Sequence, residues 1–291
     1  MTAPAVAHSR DELAKLLAER RSTGARTGFV PTMGALHAGH ASLMARAREE
    51  VGPEGPVVMS IFVNPMQFGP GEDLERYPRT LDADLETARE QGVDVVFVPD
   101  VTEVYPDGDP QVTVDPGPQA EVLEGRIRPG HFRGVLTVVA KLFGLVQPDL
   151  AVFGEKDYQQ LVLIRRMVSD LCMPVEVVAA ETCREPDGLA LSSRNRYLDP
   201  EQRRQAVALS RTLFTARSAA RWGYDVALEA ARAEQRRAHG VDLDYLVITD
   251  PDLGELPADV PDGMPARILI AARVGGTRLI DNIGLTLGGT V

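Results

Sequence analysis

Cysteine is nearly absent from this chain: Cys172 and Cys183 are the only two in 291 residues. Two thiols make neither a disulfide framework nor a zinc site, and they fit a reducing, cytoplasmic setting. Long apolar runs are missing too. None approaches the ~18 residues that a membrane span needs, and the opening MTAPAVAHSRDELAK has no apolar core of the kind a secretory signal carries. Positive charge is in deficit. The chain has 31 Lys and Arg against 42 Asp and Glu, for a formal net charge of −11. That argues against a nucleic-acid partner and leaves room only for a local basic site. No internal repeat is found. What remains is a globular composition, 44% apolar and 25% charged, with enough chain for a substantial core in one large or two smaller domains.

The most information-dense stretch is GFVPTMGALHAGH, Gly28 to His40. A short apolar run meets Pro31, which pushes the residue before it to extended geometry. Two glycines and two histidines follow, and from Ala38 to Glu50 the residues are good helix formers. The pattern predicts strand, tight turn and helix N-terminus, where free backbone N–H groups and the helix dipole favour an anion. His37 and His40 beside such a turn suit nucleotide phosphates; histidines at this spacing also bind metals.

Several other strands end in polar turns. Ser9 to Arg21 reads as a leading helix, opened by a Ser9/Glu12 capping box and carrying Leu13, Leu16 and Leu17 on one face. Val57 to Val63 is nearly continuous apolar, as in a buried parallel strand, and runs into Asn64-Pro65-Met66-Gln67. Ligands in open α/β sheets bind beyond the carboxyl ends of strands, so Asn64 and Gln67 are candidates for ligand hydrogen bonds. Residues 71–80 read as an exposed polar loop and 81–91 as a helix carrying Asp84. A strand is expected at 94–99, with a short one at 112–114 in a proline-rich segment. Arg128 and His131 precede a nearly all-apolar helix, Val135 to Val146, and suit a ligand, an adjoining subunit or, for His131, a helix cap.

Leu150 to Phe153 repeats the opening plan. This strand leads to Gly154-Glu155-Lys156-Asp157 and then to a helix from Tyr158 to Leu171 that carries Gln160. Lys156 suits a phosphate and Asp157 a ribose hydroxyl; a charged turn capped by Asp157 is the plainer reading. A last strand spans 175–179. This alternation predicts a Rossmann-like, doubly wound parallel sheet, with a first domain over 1–183. Residues 184–199, holding Ser192, Ser193 and Arg194, read as a polar loop suited to polyphosphate or as a linker. Two amphipathic helices and three strands then predict a smaller α+β domain over 184–291, a lid or support with few residues that look chemically poised.

The ordered set PTMGALHAGH, FVNPMQF, RPGHFRGVLTVV, FGEKDYQQL and SSRNRYL closely resembles the pantothenate synthetase (pantoate–β-alanine ligase) family. The first motif is also similar to the HxGH signature of nucleotidylyltransferases. The resemblance implies amide formation between pantoate and β-alanine with ATP as co-substrate, through a pantoyl adenylate, by a homodimer using Mg²⁺. It also implies site roles. Met33, Gly34, His37 and His40 would line the ATP site, with His40 as proton donor. Gly154, Glu155, Lys156 and Asp157 would bind ribose and phosphates, and Ser192, Ser193 and Arg194 would close over diphosphate. Gln67, Gln160 and Asn64 would hold pantoate or β-alanine, and Asp84 matches an acidic position linked to magnesium. Cys183 stands where an aliphatic residue usually meets adenine through its backbone, Leu191 where methionine is usual, and Ala83 where some members carry a second acid. With these partners, the metal reading of His37 and His40 recedes.

Overall fold

Parallel strands buried on both faces are built from continuous apolar, often β-branched residues, and three such runs form the middle of the main sheet. In the computed structural model, which describes residues 2–21, 24–69 and 74–289, they are β2 (Gly28–Thr32), β3 (Val57–Ile61) and β5 (Leu150–Gly154). β4 (Val95–Phe97) and β6 (Glu176–Ala180) flank them. A three-residue edge strand, β1 (Ala5–Ala7), which the sequence pattern does not suggest, completes the sheet. All pairs are parallel, in the order β1-β4-β3-β2-β5-β6. The chain winds outward from β2 through β3 to β4, then returns to place β5 on the other side of β2. The switch point therefore lies between β2 and β5, the place where such sheets hold ligands.

By its contacts the chain forms two compact units, Met1–Gly154 with Gln159–Glu181, and Glu155–Tyr158 with Thr182–Val291. In the larger unit, α1 (Arg10–Arg21) opens with the expected box: Ser9 Oγ accepts from Glu12 N–H at 3.2 Å, and Ser9 N–H donates to the Glu12 carboxylate at 3.3 Å. α2 (Ala38–Val51) and α3 (Leu81–Glu90) pack on one face of the sheet, where Met44, Ala47 and Ala88 meet Val30, Met59, Val96 and Val152. Burying side chains the size of Val or Met stabilises by about 1.5–3 kcal/mol each. Alternate residues Phe29 and Phe153 face the other way, and both set their rings edge-on to Phe143 of α6 (His131–Val146). Two short helices, α4 (Val101–Val104) and α5 (Leu123–Ile127), precede α6. The helix α7 (Tyr158–Asp170) follows β5 after one 3₁₀ turn.

Arg48 anchors the C-terminus of α2, donating to the carbonyls of Gly52, Gly55 and Gly92 and to the Asp94 carboxylate. Because α2 runs antiparallel to the strands beside it, fixing this end presents its N-terminus, His37 to His40, at the carboxyl edge of the sheet.

One expectation is corrected here. Val112–Val114 forms no strand: prolines at 110, 116 and 118 bracket it, Val112 is 86% exposed, and the Val114 N–H goes to Thr137 Oγ1 instead of a ladder. The polar loop expected over 184–199 carries internal order. Arg184 and Ala190 pair across a tight hairpin, and Ser193–Tyr197 form a 3₁₀ turn. Of the polar loop expected over 71–80, residues 71–73 lie outside the described residues.

The smaller unit packs α8 (Pro200–Ala219) and α9 (Tyr224–Arg236) on an antiparallel sheet of β7 (Val241–Thr249), β8 (Met264–Val274) and β9 (Thr277–Leu287). Leu209, Leu213, Ala227, Ile268, Ile270 and Leu285 are among its core residues. A Gly275-Gly276 turn, with Gly275 at φ 57°, joins β8 to β9.

Candidate active site

Helices usually start on Ser, Thr, Asp or Asn; α2 starts on histidine. The Nδ1 of His37 accepts from Gly39 N–H at 3.1 Å, and the Nδ1 of His40 accepts from His37 N–H at 3.3 Å, a capping box made of two imidazoles. The rings lie 4.2 Å apart and are half-buried. Since both Nδ1 atoms accept from backbone, the neutral rings carry their proton on Nε2. Each neutral ring is thereby a donor at Nε2, beside a helix dipole that favours an anion.

The turn leading into this cap is held by Asp84. Its carboxylate is 2% exposed and accepts from Ala35 N–H at 3.0 Å, Leu36 N–H at 2.8 Å and the Thr80 hydroxyl at 3.2 Å. Ala35 sits at φ +52°, a left-handed conformation that costs a non-glycine residue about 1–3 kcal/mol unless its surroundings enforce it. Gly34, at φ +82°, has no room for a side chain: a Cβ would stand 2.9 Å from the carboxylate and 3.0 Å from Ile61. The Asp84 oxygens accept three hydrogen bonds, most of the roughly four a carboxylate can take, so its work in this structure is to hold the turn. Among the described residues, no group of three or more His, Cys, Asp or Glu is arranged to hold a metal.

Beyond β3, Asn64–Gln67 makes a 3₁₀ turn. Asn64 is 1% exposed and fully engaged. Its Oδ1 accepts from Tyr105 Oη–H at 2.9 Å and from Met66 N–H at 3.3 Å, while its Nδ2 donates to the Gly134 carbonyl at 3.1 Å and to Gln67 Oε1 at 3.4 Å. Burial pushes the Tyr105 hydroxyl pKa up, so it stays a donor. Asn64 therefore holds Gln67 with an amide whose donors and acceptor are all engaged within the protein. Gln67 Nε2 donates to the Met33 sulfur, bringing the turns after β2 and β3 together.

Gly134 of α6 lets this turn sit against the helix, since a Cβ there would lie 2.2 Å from the Met66 carbonyl oxygen. The cap of α6 is Gly130, at φ +82°, not His131. Instead His131 Nδ1–H donates to the Gln67 carbonyl at 2.8 Å, and Arg128 donates from Nη1 to His131 Nε2 at 2.9 Å. Gln160, on the first turn of α7, is half-buried. Its neighbour Gln159 is turned inward, where its amide bonds the backbone of residues 119, 122 and 124.

In the smaller unit, Glu155–Asp157 form a 3₁₀ turn, with Lys156 Nζ 3.7 Å from the Asp157 carboxylate. Sequence reasoning missed what grips this turn: Asn282 and Arg267, in strands read as chemically quiet. The Cys183 carbonyl accepts from Leu191 N–H at 2.9 Å in the hairpin that ends at Ser192. Ser192 Oγ caps the next turn through Arg194 N–H at 3.3 Å. Arg184, within the hairpin, makes a bidentate pair with buried Asp281 at 2.7 and 2.8 Å. A charged or amide residue at an interior strand position was the available signal for Asp281 and Asn282.

The chain has close relatives among known proteins. Residues 5–284 match the family Pantoate-beta-alanine ligase. A pantothenate synthetase of Nocardioides sp. is 70% identical over 290 residues, covering 99% of this chain and 87% of that protein. One from Mycolicibacterium smegmatis is 55% identical, covering 92% and 83%. Among solved structures, the pantothenate synthetase of Thermus thermophilus matches with a TM-score of 0.86 at 48% identity, covering 96% of this chain and 98% of that one. A pantoate-beta-alanine ligase of Francisella tularensis, complexed with beta-gamma ATP and beta-alanine, matches with a TM-score of 0.76 at 34% identity, covering 97% of both chains.

Proposed function

The chain belongs to the pantoate–beta-alanine ligase family, and on that premise we propose how its residues share out the reaction. The reaction is the ATP-dependent condensation of pantoate with β-alanine. A pantoate carboxylate oxygen attacks the α-phosphorus of ATP, the bond to the bridging oxygen breaks, and diphosphate leaves. The β-alanine amine then attacks the acyl carbon of the pantoyl adenylate, loses a proton, and AMP departs with the carboxylate-derived oxygen. No protein nucleophile takes part.

Charge builds on the α-phosphoryl oxygens and on the diphosphate in the first step, so preorganised donors supply most of the acceleration. His37 and His40 donate to these phosphates, with His40 as proton donor, and Met33 and Gly34 line the nucleotide. The observation that supports this reading is the imidazole capping box, which puts the proton of each neutral ring on Nε2. Lys156 and Arg194 add fixed positive charge; Ser192 and Ser193 donate to the diphosphate; Gly154, Glu155 and Asp157 meet ribose and phosphate; Cys183 and Leu191 border the adenine. Gln67 and Gln160 bind pantoate without adding a charge that would slow attack, and Asn64 acts through Gln67. Magnesium would neutralise charge on the phosphates, as Lys156 and Arg194 do; Asp84 serves the turn. The enzyme works as a cytoplasmic homodimer, a reading that rests on the family resemblance; no helix among the described residues is long and apolar enough to cross a membrane.

The decisive experiment incubates the protein with ATP, Mg²⁺ and pantoate, with and without β-alanine. Pantoyl adenylate and diphosphate are expected without the amine, and pantothenate with AMP once it is added. Absence of turnover with pantoate sinks the assignment.

A further inference from the structure

A three-residue 3₁₀ turn has little stability of its own, and its carbonyls need partners. The turn Glu155–Asp157 finds them on β9. Asn282, 3% exposed, donates both N–H bonds of its amide, one to the Glu155 carbonyl and one to the Lys156 carbonyl, each at 2.9 Å. Its Oδ1 accepts from Arg267 Nε–H at 2.8 Å and from Arg267 Nη2–H at 2.5 Å. The same Nη2 donates to the Glu155 carboxylate at 2.9 Å, and the guanidinium stacks 3.9 Å over the Tyr158 ring, the residue that follows the turn. Every donor and acceptor of the Asn282 amide is used, which also fixes its orientation.

We propose that Asn282, held by Arg267, is a positioning residue for Lys156: it draws the turn's carbonyls toward β9 and so sets the direction from which the Lys156 ammonium reaches a phosphate. Two carbonyl dipoles left to swing would place negative ends beside the anion; tied to an amide, they cannot. The proposal rests on the phosphate role assigned to Lys156 above.

A double-mutant cycle tests it. Diphosphate release with ATP, Mg²⁺ and pantoate is measured for the full chain, Asn282→Ala, Lys156→Ala and the double variant. Asn282→Ala is expected to lower kcat for adenylation tenfold or more while the KM for pantoate stays within twofold. Added to Lys156→Ala, it is expected to cost less than a further twofold. Capture of preformed pantoyl adenylate by β-alanine is expected at the wild-type rate. Independent, multiplying losses overturn the proposal, as does an Asn282→Ala enzyme within twofold of wild type when Lys156→Ala is slow; in both cases the role of Lys156 survives. A Lys156→Ala enzyme at wild-type rate removes that role and the proposal with it. If Asn282→Ala does not fold, Arg267→Lys, which keeps the charge over Tyr158 and loses the forked grip on Asn282, is carried through the same cycle with the same criteria.

Discussion

The turn after β2 and the turn after β5 follow one local plan, apolar strand, glycine, polar residues, helix, yet they are fastened by opposite chemistry. Met33–His37 is held by an acceptor: the Asp84 carboxylate takes the N–H groups of Ala35 and Leu36. Glu155–Asp157 is held by donors: Asn282 gives its N–H bonds to two carbonyls. The difference follows from what each turn presents. On the roles proposed above, the first offers histidine donors at a helix start, where a buried carboxylate can satisfy the turn's own N–H groups while the helix dipole stays available. On the same proposal the second offers a cation, and there the backbone oxygens are the groups to be kept away from an anion.

The largest effect expected is on the acceptor side. Asp84→Ala orphans the N–H groups of Ala35 and Leu36 and removes what holds Ala35 in its left-handed conformation. At about 1–3 kcal/mol per orphaned buried group, a stability loss of roughly 3 kcal/mol or more is expected, read from the urea unfolding midpoint. An unchanged midpoint with a raised Mg²⁺ requirement would break the comparison by making Asp84 a metal ligand.

Next comes the group the acceptor-held turn delivers. His40→Ala is expected to slow adenylation at least tenfold, since losing one charge-stabilising donor costs roughly 2.7–4 kcal/mol. Near wild-type diphosphate release would remove His40 from the reaction. The smallest effect sharpens the contrast with a third turn, Asn64–Gln67, held by donor and acceptor together. Tyr105→Phe takes one partner from Asn64, worth about 1 kcal/mol, and is expected to raise the KM for pantoate about fivefold. A KM unchanged in steady-state assays would detach Tyr105 from substrate binding.

Where the sequence was legible and where it was not follows from range. β2, β3 and β5 stood out because burial on both faces demands unbroken apolar runs, and His37, His40 and Gln67 because they follow those runs directly. β1 is only Ala-Val-Ala at an edge, too short for any periodicity. Val112–Val114 has strand-like residues but prolines around it. The anchors were out of reach for another reason. Asp84 lies 49 residues from Ala35, on a helix whose other acids face solvent, and its amphipathic pattern does not separate an inward acid from an outward one. Asp281 and Asn282 sit inside a strand, where a polar pair breaks the alternation without naming its partners.

That long reach also has a meaning in time. The Lys156 carbonyl and the amide that fastens it are 126 residues apart. At about 5–20 residues per second of synthesis, the lysine has left the peptidyl-transferase centre roughly 6–25 s before its anchor is made. The histidine turn, whose anchor follows within 49 residues, is complete far sooner. A growing chain can therefore hold the anchor of its first turn while the second turn still awaits Asn282.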